Sequence, residues 1–390
     1  MYPRERLTKI INHKAVDRIA WSPFIENYFL IAKERELKRN NLIEVAKNFD
    51  IDFIGRNMTS AYNIKTPNVT TSTFIDGKKI NNDYEEHNWQ AEVFNIFSLR
   101  KYHSNSIKYI EKKFETPIGT LVAKYRNTAT SKTVFQTEFP IKNFKDLKIF
   151  KYMYEDINYF SNYNSFLAEK LEIGNYGLLT AGCPGSPVIE LIEEFMGIEK
   201  FYYFLQDYPN ELKEILETMY KKDIEAVKII AKSPADFAII WEDTGTSLYS
   251  VKIFKEIIAP ILKKFSEILH NEGKSVALHS CGLLNDLIEI INDINIDILE
   301  SVTPFPTGNI TMVDLRKRLN KDTIILGGID PNTIVSDNKD HLKAYVKELL
   351  LNMKPAGNFI LANGDALPAN TPIENLVLIH DLVEQYGYYK

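Results

Sequence analysis

The chain has 390 residues, 45% of them hydrophobic and 25% charged, ordinary globular values that exclude a disordered or collagen-like chain. Lys and Arg number 47 against 52 Asp and Glu, a formal charge of −5 with no basic block, which argues against a nucleic-acid partner. No apolar run reaches the length of a membrane span, MYPRERLTKI lacks the apolar core of a signal peptide, and the two cysteines, Cys183 and Cys281, build no disulfide framework, so a cytoplasmic setting is expected.

In chain order, the pattern predicts a short helix over 3–12, a first strand over Arg18–Phe24, a helix over Asn41–Phe49 and a second strand over Ile51–Gly55. Residues at about 60–140 break this rhythm. There, Thr70–Phe74, Glu92–Phe97 and Thr120–Tyr125 are rich in β-branched and aromatic residues, with turn signals between them. No Pro/Gly/Ser linker flanks the stretch, so it reads as a β-rich insertion within a single domain spanning 1–390. Helix returns over about 142–172. Strands are then expected at Tyr176–Ala181, Asp236–Trp241, Lys274–His279, Ile296–Leu299, Thr323–Leu326 and Asn358–Leu361. Helices separate them at 187–195, 197–206, 209–232, 250–272, 283–294, 311–319 and 338–352, and the last runs from Pro372 to Gln385.

Eight short apolar β segments, most followed by an amphipathic helix, predict an α/β protein: a (β/α)8 TIM barrel with the insertion after the second strand. A doubly wound sheet is the alternative, but no GxGxxG follows the first strand.

In such a barrel, chemistry sits at the C-terminal ends of the strands. Every predicted strand here runs into polar or glycine-rich sequence: Glu26-Asn27, Arg56-Asn57, Gly182-Cys183-Pro184, Glu242-Asp243-Thr244-Gly245, His279-Ser280-Cys281-Gly282, Glu300, Gly327-Gly328 and Asn363-Gly364-Asp365. Alternation along a strand turns His279 and Cys281 to one side, where imidazole and thiol suit a soft metal such as zinc. Glu300 and Asp365, at the ends of two other strands, complete a candidate N/S/O/O ligand set. Glu242 and Asp243 are a candidate pair for positioning or moving a proton. Asn27, Arg56, Cys183, Gly328 and Asn363 are candidate substrate-binding residues lining the mouth. The aromatic cluster Phe195, Phe201, Tyr202, Tyr203 and Phe204 and the Lys-rich stretch 212–232 read as core packing and a solvated face.

Several stretches together resemble the uroporphyrinogen decarboxylase superfamily, in its corrinoid-dependent methyltransferase branch: PRERLTKIINHKAVDRIAWSPF (3–24), IIWEDTGTSLYSVKIFKEIIAP (239–260), ALHSCGLLNDLIEII (277–291), DILESVTPFPTGNITMVDLRKRL (297–319), ILGGIDP (325–331) and LANGDALPANTPIENL (361–376). The resemblance implies a (β/α)8 barrel. It also implies methyl transfer between a corrinoid on a partner protein and a small acceptor, a thiol such as coenzyme M or tetrahydrofolate. Members of that branch bind zinc through an HxC pair and a later Cys. His279 and Cys281 match the pair, whereas Asp365 stands where the later Cys would fall. Porphyrinogen decarboxylases carry an arginine-rich loop after the first strand; WSPFIENYFLI has no arginine. A decarboxylase or other lyase acting on a polycarboxylate is therefore the runner-up, followed by a non-catalytic ligand-binding barrel. Monomer and homodimer are both compatible with the sequence.

Overall fold

The computed structural model describes residues 1–37, 41–56, 60–80, 109–127 and 134–389. The expected strand Glu92–Phe97 and the candidate mouth residue Asn57 lie outside the described residues. Two compact units emerge: Met1–Ala61 with Tyr163–Pro184 and Ile230–Lys390, and Tyr62–Asn162 with Gly185–Ile229.

In chain order, the first unit opens with β1 (Ala20–Trp21) and β2 (Phe53–Gly55). The second unit holds β3 (Tyr62–Lys65), β4 (Thr70–Ile75), β5 (Lys78–Ile80), β6 (Tyr109–Thr116), β7 (Gly119–Asn127), β8 (Val134–Glu138) and β9 (Asn158–Ser161). The first unit then resumes with β10 (Gly177–Cys183), β11 (Phe237–Ile240), β12 (Val276–His279), β13 (Ile298–Val302), β14 (Ile324–Ile329) and β15 (Phe359–Asn363).

Within the second unit, β5-β4-β6-β7-β8 form an antiparallel sheet and β3 pairs antiparallel with β9. The helix expected over about 142–172 is two helices, Phe144–Glu155 and Tyr163–Ile173, with β9 between them. Pairing of Asn158–Ser161 with β3 overrides the local helical preference there.

The first unit contains the eight-stranded parallel sheet, in the order β1-β15-β14-β13-β12-β11-β10-β2. This is the expected (β/α)8 barrel, with an inserted β-rich stretch after its second strand. Its interior is filled by alternate residues of each strand, among them Ile54, Leu178, Phe237, Ile239, Ala277, Ile298, Ile324 and Ile360. The same alternation, carried one step further, turns Arg56, Trp241, His279 and Glu300 inward at the C-terminal ends. The apolar plug and the polar mouth are thus parts of one side-chain pattern. No helix among the described residues is long and apolar enough to cross a membrane.

Between β1 and β2 the ring is joined largely through one residue. The Asp52 N–H donates to the Trp21 carbonyl at 2.8 Å, and the Trp21 N–H donates to Asp52 Oδ2 at 2.9 Å. Arg18 Nη1 donates to the same Oδ2 at 2.8 Å and Arg6 Nη1 donates to Oδ1. Asp52, Arg6 and Arg18 are all buried. Removing the carboxylate would take from both guanidinium groups their shared, fully buried anion, leaving Arg6 with Asp17 and Arg18 with the more exposed Glu384, a loss of up to about 3–5 kcal/mol for a broken buried ion pair. Asp52→Ala is expected to lower unfolding stability by that order in urea titration, and Asp52→Asn by less, because the amide still accepts from Trp21. An Asp52→Ala protein within about 1 kcal/mol of the parent would remove this role.

Candidate active site

Two strand-end loops make the centre of the mouth. β11 runs into Trp241-Glu242-Asp243-Thr244-Gly245, and β12 into Ser280-Cys281-Gly282. They are tied together by Thr244 Oγ1 donating to the His279 carbonyl at 2.9 Å, by the Gly282 N–H donating to the Thr244 carbonyl at 3.2 Å and by the Thr246 N–H donating to the Leu283 carbonyl at 3.1 Å. The approach is too close for side chains. A Cβ on Gly245 would lie 2.7 Å from Gly282 Cα, and one on Gly282 would lie 2.7 Å from the Thr244 oxygen. Two glycines therefore bring a carboxylate from one loop against an imidazole and a thiol from the other.

Asp243, His279 and Cys281 each offer a ligand atom, all within 4.8 Å of one another. Asp243 Oδ1 lies 3.6 Å from His279 Nε2 and accepts from Cys281 Sγ at 3.6 Å. The other face of the imidazole is fixed from behind. His279 Nδ1 is 2.7 Å from Glu300 Oε2, across a register pair of β12 and β13. Because an ionised Glu300 only accepts, Nδ1 carries a proton in the neutral and the charged imidazole alike, and Nε2 points to the Asp243–Cys281 side. Glu300 Oε1 accepts from Ser301 Oγ at 3.0 Å and stands 3.0 Å from Arg56 Nε. Arg56 Cζ lies 4.8 Å from the centre of the Phe24 ring, Phe24 stacks on Trp241 at 6.1 Å, and Trp241 packs on His279 at 5.1 Å. An aromatic wall thus backs the polar cluster.

The surroundings set the charges. Burial alone would raise the Glu300 carboxyl, but Arg56 and His279 outweigh it and hold it below the usual range. Burial would lower His279, but its hydrogen bonds to Cys281 and Glu300 carry it well above the ordinary imidazole value. Burial pushes the Cys281 thiol up to about 11, with His279 opposing. Asp365 keeps some surface open to solvent, yet the protein crowded around its carboxyl desolvates it and raises it, opposed by His279.

Other candidate residues take distinct places. Glu242 has no exposed surface and accepts from the Tyr249 hydroxyl at 3.1 Å, whereas the Asp243 side chain is 43% exposed. Asp365 is exposed, accepts from the Ala366 N–H at 2.6 Å, and lies near enough to His279 and Cys281 to act on them electrostatically. Asn363 clamps the loop after β1, its Oδ1 accepting from the Phe24 N–H at 3.0 Å. Asn27 is exposed at the start of helix Asn27–Ala32. A Cβ on Gly328 would meet Leu349, Phe359 and Met312. Cys183 is buried on the face of β10 opposite Leu178, and burial pushes its thiol far up. Sequence alone does not group Asp243 with the HxC pair, and it gives Phe24 and Tyr249 no role. The matching glycines of EDTG and HSCG are the only sequence sign that the two loops touch.

The family model for uroporphyrinogen decarboxylase (URO-D) matches residues 133–386. The chain belongs to the uroporphyrinogen decarboxylase family. The match contains Asp243, His279, Cys281, Glu300 and Asp365, while Phe24 and Arg56 precede it. No curated protein matches in sequence. Of 35 solved chains that match, one is a methyltransferase from Methanosarcina mazei, 13% identical, with a TM-score of 0.55 over 99% of each chain. This likeness is one of fold, and it agrees with the uroporphyrinogen decarboxylase assignment.

A thiol at about 11 is almost wholly protonated at neutral pH. Alkylation of Cys281 by iodoacetamide, followed by peptide mass spectrometry, is expected to be slow at pH 7 and to speed up by about tenfold per pH unit below that value. Cys183 is expected to react only after unfolding. Labelling of Cys281 at neutral pH as fast as a free thiol would contradict the electrostatics described above.

Proposed function

We propose that this chain transfers a methyl group between a corrinoid carried by a partner protein and a small acceptor, a thiol or tetrahydrofolate. The observation that carries this reading is the meeting of carboxylate, imidazole and thiol within 4.8 Å at the strand ends of the barrel. One oxygen, one nitrogen and one sulfur donor fit zinc, and three protein ligands leave a position for an exogenous group, the pattern of catalytic rather than structural zinc. In this reading Asp243, His279 and Cys281 would hold the ion. Glu300 then serves from behind His279, and Asp365 acts on the pair electrostatically. When bound, zinc favours the thiolate form of an acceptor thiol and so supplies its nucleophilicity.

The chain's own residues do the rest. Glu300 accepts the Nδ1 proton and keeps His279 Nε2 directed at the cluster. Trp241 and Phe24 cover the imidazole and the Arg56 guanidinium on one side, which limits access of water. Tyr249 donates to Glu242 and anchors the loop that carries Asp243. Asp243, the more exposed of the two carboxylates, is held by that loop beside His279 and Cys281.

The direct test is incubation with methylcobalamin, thiols and tetrahydrofolate, following cobalt absorbance. His279→Ala is expected to slow methyl transfer by more than about 100-fold, and Glu300→Gln by about 10–100-fold. An unchanged rate in His279→Ala, or full activity with less than about 0.1 equivalents of metal, would sink the reading.

Zinc uptake has its own signature. His279 sits well above the ordinary imidazole value and Cys281 at about 11, so both hold a proton at pH 7. The ligand forms are neutral imidazole and thiolate. Calorimetry in buffers of different ionisation enthalpy is therefore expected to give about two protons released per zinc at pH 7, and fewer as the pH is raised. Proton-free uptake at neutral pH would place the ion elsewhere.

A further inference from the structure

Arg56 is 4% exposed, and none of its three guanidinium nitrogens has a hydrogen-bond partner among the described residues. Its Nε faces Glu300 Oε1 at 3.0 Å as an ion pair without the alignment of a hydrogen bond, and the two terminal nitrogens have no acceptor among the described residues. A buried guanidinium with an unused edge is costly to keep unless something occupies that edge. Nearby protein charge does not fill the need. Glu300 is one anion shared by two cationic neighbours, because it also accepts from His279. Glu26 acts on Arg56 from the loop after β1, but it is only half-buried. Phe24 covers the guanidinium face at 4.8 Å, and its ring offers the edge no acceptor. Ser22, two residues before Phe24 and fully buried, also has its hydroxyl without a partner.

Two coplanar N–H-bearing nitrogens on one edge match the two oxygens of a carboxylate better than they match water or a single carbonyl. We propose that Arg56 is the binding residue for a carboxylate on the small substrate, so that the ligand is anchored at Arg56 by its acid end while its reactive end reaches the Asp243–His279–Cys281 cluster. This rests on the methyl-transfer reading only for the identity of the reactive end. The acid end follows from Arg56 alone. Glu300 touches both Arg56 and His279, so the two ends of the ligand are separated by one carboxylate and one imidazole. That spacing calls for a short aliphatic acid rather than a large ring system.

The test is isothermal calorimetry on the full chain with 3-mercaptopropionate, 4-mercaptobutyrate and 6-mercaptohexanoate. Each is compared with the mercaptoalcohol of equal length, and butyrate serves as an acid without a thiol. The expected result is that at least one acid binds about tenfold or more tightly than its alcohol, that butyrate competes with it, and that Arg56→Gln abolishes the preference. Arg56→Lys keeps the charge beside Glu300 but loses the fork, and is expected to retain only part of the preference. It also serves as the test variant if Arg56→Gln fails to fold, as judged by circular dichroism. Equal binding of acids and alcohols by the parent chain, or a preference that survives in the folded variants, would overturn the proposal. Binding that follows this pattern without any methyl transfer would overturn the reaction and leave the carboxylate site standing; methyl transfer without acid preference would do the reverse.

Discussion

Glu300 has no exposed surface, and it faces an arginine on one oxygen and a histidine on the other. A carboxylate in that position remains ionised only because both neighbours are cationic or donating. The constraint then spreads outward. It fixes the Nδ1–H of the imidazole on Glu300, and hence turns Nε2 to Asp243 and Cys281. It holds the Arg56 guanidinium over Phe24, and Phe24 in turn stacks on Trp241. Residues from β2, β12 and β13 and from the loops after β1 and β11 are thereby set by one buried charge.

The family supplies the barrel, and the strand-end residues decide what the barrel does. Here the departures are chemical. The loop after β1 offers Phe24, Glu26 and Tyr28 instead of a row of arginines, and the cationic residue of the mouth comes from β2 as Arg56. The HxC pair has an oxygen donor close by on the adjoining loop, Asp243 after β11, and Asp365 lies within electrostatic reach of the pair. A site assembled from two adjacent loops depends on their spacing, which explains why Gly245 and Gly282 sit where any side chain would force them apart.

Strand and helix order was legible because short apolar runs alternate with amphipathic ones throughout the barrel. The inward turn of His279 followed from simple alternation past Ala277. Misreadings arose where side chains, and not the ladder, bind the backbone. β1 was expected to reach Phe24 but ends at Trp21, since the Phe24 N–H is taken by Asn363 Oδ1 and the Trp21 N–H by Asp52. The helix expected from Leu283 begins at Ile288, because the Asn285 N–H is held by Asn309 Oδ1. The Arg56–Glu300 pair and the closeness of Asp243 to Cys281 are tertiary facts, with no local pattern to announce them.

The Asp52 junction has a mechanical meaning. Seven of the eight neighbouring strand pairs in the ring are joined by register-matched ladders, whereas β1, two residues long, meets β2 through one aspartate and the arginines behind it. A closed ring yields first at its least redundant joint. This barrel is therefore a strip fastened by a clasp, and the clasp sits on the β1–β2 side, the side that carries Phe24 and Arg56. Loosening it would spread the aromatic wall before disturbing the β12–β13 side that holds His279 and Glu300.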